Sequence, residues 1–181
     1  MKSILISNRG NLYNIDSDLE NTPIYIEKAL KEGFFVVIDI LLVGKKNLAL
    51  GINQPLHHIS LEYIKNSKII VRTNNINTLE FLINNQVHCF LDDNFNTSLT
   101  TAGFIWSTHK LNLSKRCIFN MPEWILNNKD IKQLEQLPCA GICSNIIGVI
   151  SDERRINCTV LIQKYCRRKL TWLKKLIITE G

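Results

Sequence analysis

Ile4-Leu5-Ile6-Ser7-Asn8-Arg9-Gly10, then Glu20-Asn21-Thr22-Pro23, then Phe34-Phe35-Val36-Val37-Ile38-Asp39: on these residues the reading of the chain turns. The first apolar run is short enough for a buried strand, and it delivers an arginine at its exit. Thr22 is placed to cap a helix, and Pro23 sits in the first turn, where its missing N–H costs nothing. Ile26, Ala29 and Leu30 mark one helical face, and Gly33 ends it. The run from Phe34 to Leu41 is apolar almost throughout, as in a parallel strand covered on both faces. Leu48-Ala49-Leu50-Gly51 is a third apolar run, closed by Ile52-Asn53-Gln54-Pro55. One arginine and two carboxylates around strand ends suit a phosphate-binding mouth.

The alternation continues outward with shrinking helices. Ser60 to Asn66 reads as a short helix, Lys68 to Arg72 as a strand, and Asn77 as the cap of a helix carrying Leu79, Leu82 and Ile83. Val87 to Leu91 is strand-like and ends at Asp92-Asp93. Gly103 to Trp106 and Arg116 to Phe119 are two more strands. A helix around Asp130, Ile131, Leu134 and Leu137 precedes a last strand from Cys139 to Ser144. About eight strands in this order predict an α/β fold: a compact TIM-like (βα)8 barrel with short or missing helices, or, failing closure, an open parallel α/β sheet. Residues 1–150 form the barrel. Residues 151–181 are expected to form a basic C-terminal helix packed on the same domain.

With 181 residues, 45% of them hydrophobic, the chain can bury one real core. Mean hydropathy near zero and 21% charged residues describe an ordinary soluble globule. The net charge of +6 is uneven: residues 152–181 hold eight Lys/Arg against three Asp/Glu, the rest fourteen against thirteen. Basicity therefore belongs to the tail, which disfavours nucleic acid as a partner of the whole chain. The six cysteines form no CxxC and no zinc-finger spacing, and several lie in apolar runs, so they read as free buried thiols in a reducing cytosol. The start is too short in apolar residues for a signal peptide, and no run reaches transmembrane length.

Arg9-Gly10, Glu20-Asn21-Thr22 and Asp39 resemble the signature of the glycerophosphodiester phosphodiesterase family, which shares its barrel with phosphatidylinositol phospholipase C. The resemblance is most specific over residues 4–55. It thins towards residue 145 through Phe104-Ile105-Trp106, Met121-Pro122-Glu123 and Gly141-Ile142-Cys143-Ser144. It implies a phosphoric diester hydrolase of lipid metabolism, with Mg or Ca as cofactor if the site is active and a glycerophosphodiester or other phosphate-bearing ligand. The departures fall on the chemistry. Asn8 and Ile52 stand where the family places two acid–base histidines, Val37 where it places a metal-binding glutamate, and Arg72 near an expected carboxylate. Asparagine does not titrate near neutrality, and isoleucine neither titrates nor hydrogen-bonds. The resemblance therefore implies a pseudoenzyme that keeps the mouth.

Candidate residues carry a plain reading beside the functional one. Arg9 is the catalytic or phosphate-gripping residue, with Glu20 and Asn21 at the same ligand site; otherwise Arg9 is an ion-pair partner of Glu20 or Asp39. Asp39 and Asp92 are the residual metal ligands; otherwise Asp39 pairs with Arg9 or Arg72, and Asp92-Asp93 is a turn. An active enzyme with relocated groups would use Arg9, Asp39, Asp92 or Asp93, and His57 or His58 as proton carrier. His88 reads as a core residue and His109 as loop. From Thr159 to Ile178, Ile162, Cys166, Leu170, Leu173 and Ile177 recur at helical spacing. Arg167, Arg168, Lys169, Trp172, Lys174 and Lys175 suit an anionic membrane surface or a partner; otherwise this helix simply closes the domain.

Overall fold

The computed structural model describes residues 3–92, 96–109, 113–124, 134 and 137–152. Its elements are β1 (Ile4–Asn8), α1 (Pro23–Lys31), β2 (Phe35–Val43), β3 (Asn47–Leu50), β4 (His57–Ile59), α2 (Leu61–Ile64), β5 (Ile69–Thr73), α3 (Ile76–Asn84), β6 (Cys89–Leu91), β7 (Thr97–Leu99), β8 (Ile105–Ser107), β9 (Cys117–Asn120) and β10 (Gly141–Ser144). The fold is mixed α/β, mostly sheet with few helices. Thr22 caps α1 as its sequence suggests. The α3 cap is Asn75, whose Oδ1 accepts from the Thr78 N–H, and not Asn77. Apart from Leu134 and Leu137, the helix expected around Asp130 lies outside the described residues, as does the basic tail, with Asp93, Arg167, Arg168, Lys169, Trp172, Lys174 and Lys175.

Seven strands run parallel in the order β6-β5-β2-β1-β10-β9-β8, so the first and last described strands are neighbours. β7 adds antiparallel to β8, while β3 and β4 form an antiparallel branch on the far half of β2. This corrects the strand count. The run at Leu48 is no barrel stave, because Gly44-Lys45-Lys46 reverses the chain within three residues and a parallel crossover needs a dozen or more.

The core has two parts. Ile26 and Ala29 of α1, Ile64 of α2 and Leu82 of α3 bury against Val36, Ile38, Val71 and Ile142 on one face of the sheet. Each Val, Leu or Ile side chain buried in this way contributes about 1.5–3 kcal/mol. On the other face Ile6, Val37, Ile70, Phe90, Trp106, Ile118 and Cys143, one from each parallel strand, form a second cluster. Phe90 near one end of the parallel order stacks on Trp106 near the other, with 4.7 Å between ring centroids. The sheet therefore curls until its ends face each other. It does not close: among the described residues no ladder joins β6 to β7. The seam is bridged by the Thr101 N–H donating to the Cys89 carbonyl (2.9 Å) and the Cys89 N–H donating to Thr101 Oγ1 (3.0 Å). The eight-stave closed barrel is thus met only in its α/β class and parallel order.

Candidate functional site

Strand side chains alternate between faces, so the residue two beyond each inward apolar one also points inward. Two positions past Ile6, Val37, Ile70, Phe90, Ile118 and Cys143 stand Asn8, Asp39, Arg72, Asp92, Asn120 and Asn145. An apolar floor thereby becomes a polar layer at the carboxyl ends of the strands. All of these except Asp92 are buried.

Arg9 leaves β1 in the left-handed region, at φ 55°, which is uncommon for a non-glycine residue. Its N–H donates to the Val37 carbonyl (2.8 Å), and its carbonyl accepts from the Asn21 N–H (2.8 Å). Gly10 follows at φ 86°, and a Cβ there would lie 2.7 Å from the Tyr25 backbone, so only glycine lets α1 approach this closely. Asn21, also left-handed at φ 59°, clamps β2: its Nδ2 donates to the Asp39 carbonyl and its Oδ1 accepts from the Asp39 N–H, both at 3.0 Å.

Asp39 is the centre. Arg72 Nε donates to its Oδ1 (2.6 Å), Arg72 Nη2 to its Oδ2 (2.9 Å), and Arg9 Nε also to Oδ2. Burial alone would push this carboxyl up; the charge and hydrogen bonds of Arg72, then those of Arg9, outweigh it and hold it below the usual carboxylate value. Glu20 Oε1 accepts from Arg9 Nη1 (2.8 Å), and its Oε2 from Asn11 Nδ2 (2.9 Å). Asn145 Oδ1 accepts from Asn8 Nδ2 (2.8 Å) and Asn11 Nδ2 (3.1 Å). Glu123 holds the exit of β10, accepting from Ser144 Oγ and the Asn145 N–H, both at 2.9 Å.

A cleft of about 270 Å³ opens over this cluster, lined by Arg9, Asp39, Arg72 and Asp92 with Ile52 and the exposed ring of Trp124 at its rim. A hollow of about 390 Å³ between α3, β6 and β7 is larger, but no charged side chain lines it. The charged cleft is the better candidate. The sequence reading thus has Arg9, Glu20, Asn21, Asp39 and Asp92 converging. Both plain alternatives for Arg9 hold at once, since it pairs with Glu20 and Asp39. What it missed is Trp124 and the polar layer; the two-residue step along each strand was the signal. All four histidines are described, and none lines the cleft: His57 and His58 are exposed on β4, His88 precedes β6, and His109 follows β8. Four cysteines, Cys89, Cys117, Cys139 and Cys143, are buried free thiols, and burial pushes the Cys143 thiol up, away from reactivity.

Mg or Ca requires several hard oxygen ligands. Both oxygens of Asp39 and both of Glu20 already accept from cationic or amide donors, and the described residues bring together no group of three or more His, Cys, Asp or Glu fit for a metal. The donor set does not fit such an ion. Among the described residues no helix is long and apolar enough to cross a membrane. Comparison with protein-family models, with curated proteins and with solved structures finds no match.

Proposed function

We propose that this chain is a glycerophosphodiester phosphodiesterase-like protein, a curled parallel sheet of barrel type, that binds a phosphate-bearing ligand at its mouth without cleaving it. One observation carries the reading: Asp39, the carboxylate best placed to serve a metal, has both oxygens occupied by Arg72 and Arg9. The two proton-carrier positions support it. Asn8 is buried in an amide network, and Ile52 lines the cleft as an alkyl side chain. Cleavage of a phosphodiester needs a group that takes a proton and another that returns one, and no imidazole is within this cleft to do either. Binding needs less. Among the described residues no hydrogen bond uses Arg9 Nη2 or Arg72 Nη1, and both residues line the cleft, so two guanidinium edges remain to meet phosphate oxygens.

Glycerophosphocholine incubated with the protein and Mg²⁺ or Ca²⁺ is expected to stay intact. Calorimetry with glycerol phosphate is expected to show binding that weakens at least tenfold in Arg9→Ala. Turnover that depends on metal and disappears in Arg9→Ala would overturn the loss of catalysis; equal binding by both proteins would overturn the ligand mouth.

A further inference from the structure

Among the described residues Trp124 is the most exposed Trp, Tyr or Phe, at 68%. Its backbone is nonetheless firmly held. Pro122–Trp124 form a single 3-10 turn after β9, entered through Met121, which is left-handed at φ 50° and donates its N–H to the Cys143 carbonyl (2.8 Å). The Trp124 N–H donates to the Met121 carbonyl (3.1 Å). Glu123, between them, accepts from Ser144 Oγ and from the Asn145 N–H, one bond to each carboxylate oxygen. A turn tied to β10 and its exit therefore carries an indole that stays in water. That indole forgoes the gain of burying a large apolar surface, which a ligand in the cleft would restore.

The cleft beside it has two chemical halves. Arg9 and Arg72 supply donor edges, while Trp124 and the 39%-exposed side chain of Ile52 supply apolar surface. At about 270 Å³ it lies just below the ~300 Å³ at which small-molecule pockets usually begin. That space suits a phosphate and one ring, and not the two chains of a lipid. A glycerol ester sets nothing flat against an indole; an aromatic ring offers it a face to stack on.

We propose that the ligand of this mouth is a phosphate ester of a flat aromatic ring, its phosphate on the guanidinium edges of Arg9 and Arg72 and its ring against Trp124 and Ile52. The inference rests on the phosphate-binding reading and narrows it: the family resemblance implies glycerol esters, whereas this rim selects a planar group. Arg9 and Arg72 then set affinity for any phosphate ester, and Trp124 sets the choice among them.

The test compares three probes by calorimetry: phenyl phosphate, cyclohexyl phosphate, which is similar in size but has no flat face, and glycerol phosphate. The unmodified protein is expected to bind phenyl phosphate about tenfold more tightly than glycerol phosphate, with cyclohexyl phosphate between them. In Trp124→Ala that ratio is expected to fall to about twofold or less, and in Trp124→Phe to stay above about threefold. Phenyl phosphate is expected to shift the Trp124 ring resonances upfield, and glycerol phosphate to leave them in place. Equal affinity for phenyl and glycerol phosphate, cyclohexyl phosphate binding as tightly as phenyl phosphate, or a preference that survives in a folded Trp124→Ala overturns the proposal and leaves the phosphate mouth standing. Binding of none of the three overturns the mouth, and this inference with it. If Trp124→Ala does not fold, the ranking of the three esters and the ring shifts in the unmodified protein decide alone. Phosphatidylcholine vesicles that bind the unmodified protein but not Trp124→Ala, with no ranking among the esters, would assign the indole to a lipid surface and overturn the proposal as well.

Discussion

Two layers of the same inward face, one peptide repeat apart, are held by opposite physics. The lower layer, from Ile6 round to Cys143, is apolar and is held by burial, with Phe90 stacked on Trp106 across the seam. The upper layer is as thoroughly withdrawn from water at Asn8, Asp39, Arg72, Asn120 and Asn145, yet it is made of amides and charges. Burying charge is costly unless it is paired and hydrogen-bonded, so Asn8, Asp39, Arg72 and Asn145 depend on their partners in a way the lower layer does not, while Asn120 Oδ1 has no hydrogen-bond partner among the described residues. The lower layer tolerates gradual change. Removing one member of the upper layer leaves another buried group unpaired.

The sharpest way to break this comparison is to remove one member of each layer. Asp39→Ala strands two guanidiniums and is expected to cost about 3–5 kcal/mol. Phe90→Ala opens a cavity at the seam and is expected to cost a similar ~3–5 kcal/mol by a different route. Urea unfolding at several pH values separates them. The folded carboxyl of Asp39 lies below its usual value, so the stability it contributes is complete above the unfolded pKa of about 3.9 and disappears as pH falls through the lower folded value. Phe90→Ala should keep this acid profile and Asp39→Ala should lose it. Identical acid profiles in both would mean that the upper layer is not held by charge.

A smaller effect is expected one step back from the cluster. Asn21→Ala removes both hydrogen bonds to the Asp39 backbone and puts alanine at φ 59°, for a loss of ~3 kcal/mol. Because Asn21 orients Asp39 without touching its carboxylate, the acid midpoint should barely move, which the same pH series would show. Glu20→Gln should matter least, about 1 kcal/mol or below, since the Arg9–Glu20 pair is partly open to water at 22% and 19% side-chain exposure. A loss equal to that of Asp39→Ala would show that the rim, not the buried centre, organises the mouth.

Much of this is legible in the sequence. Thr22 and Pro23 start the first helix where capping chemistry puts them, and the continuous apolar run before Asp39 is a doubly covered parallel strand. Arg9 and Asp39 were recognisable as strand-exit residues. The third apolar run misled, because Leu48-Ala49-Leu50 is equally compatible with a parallel stave and with a hairpin arm; only the three-residue turn before it decides, and its shortness forces reversal. Asn77 misled as a cap because Asn75 lies two positions earlier with the same chemistry, and which one caps depends on where β5 lets the helix begin.

The order of residues alone determined which groups stand at strand exits, since a period of two and the sites of arginine, aspartate and asparagine are properties of the chain. Tertiary structure alone decided whom they meet. Asp39 and Arg72 are 33 residues apart and become direct neighbours only because β2 and β5 pair in that register. Asn8 and Asn145 are 137 apart and touch only because the sheet brings its first and last described strands together. Pairing energies of buried charges depend on distances of a few ångströms, and those distances are set by strand register, which no local pattern encodes.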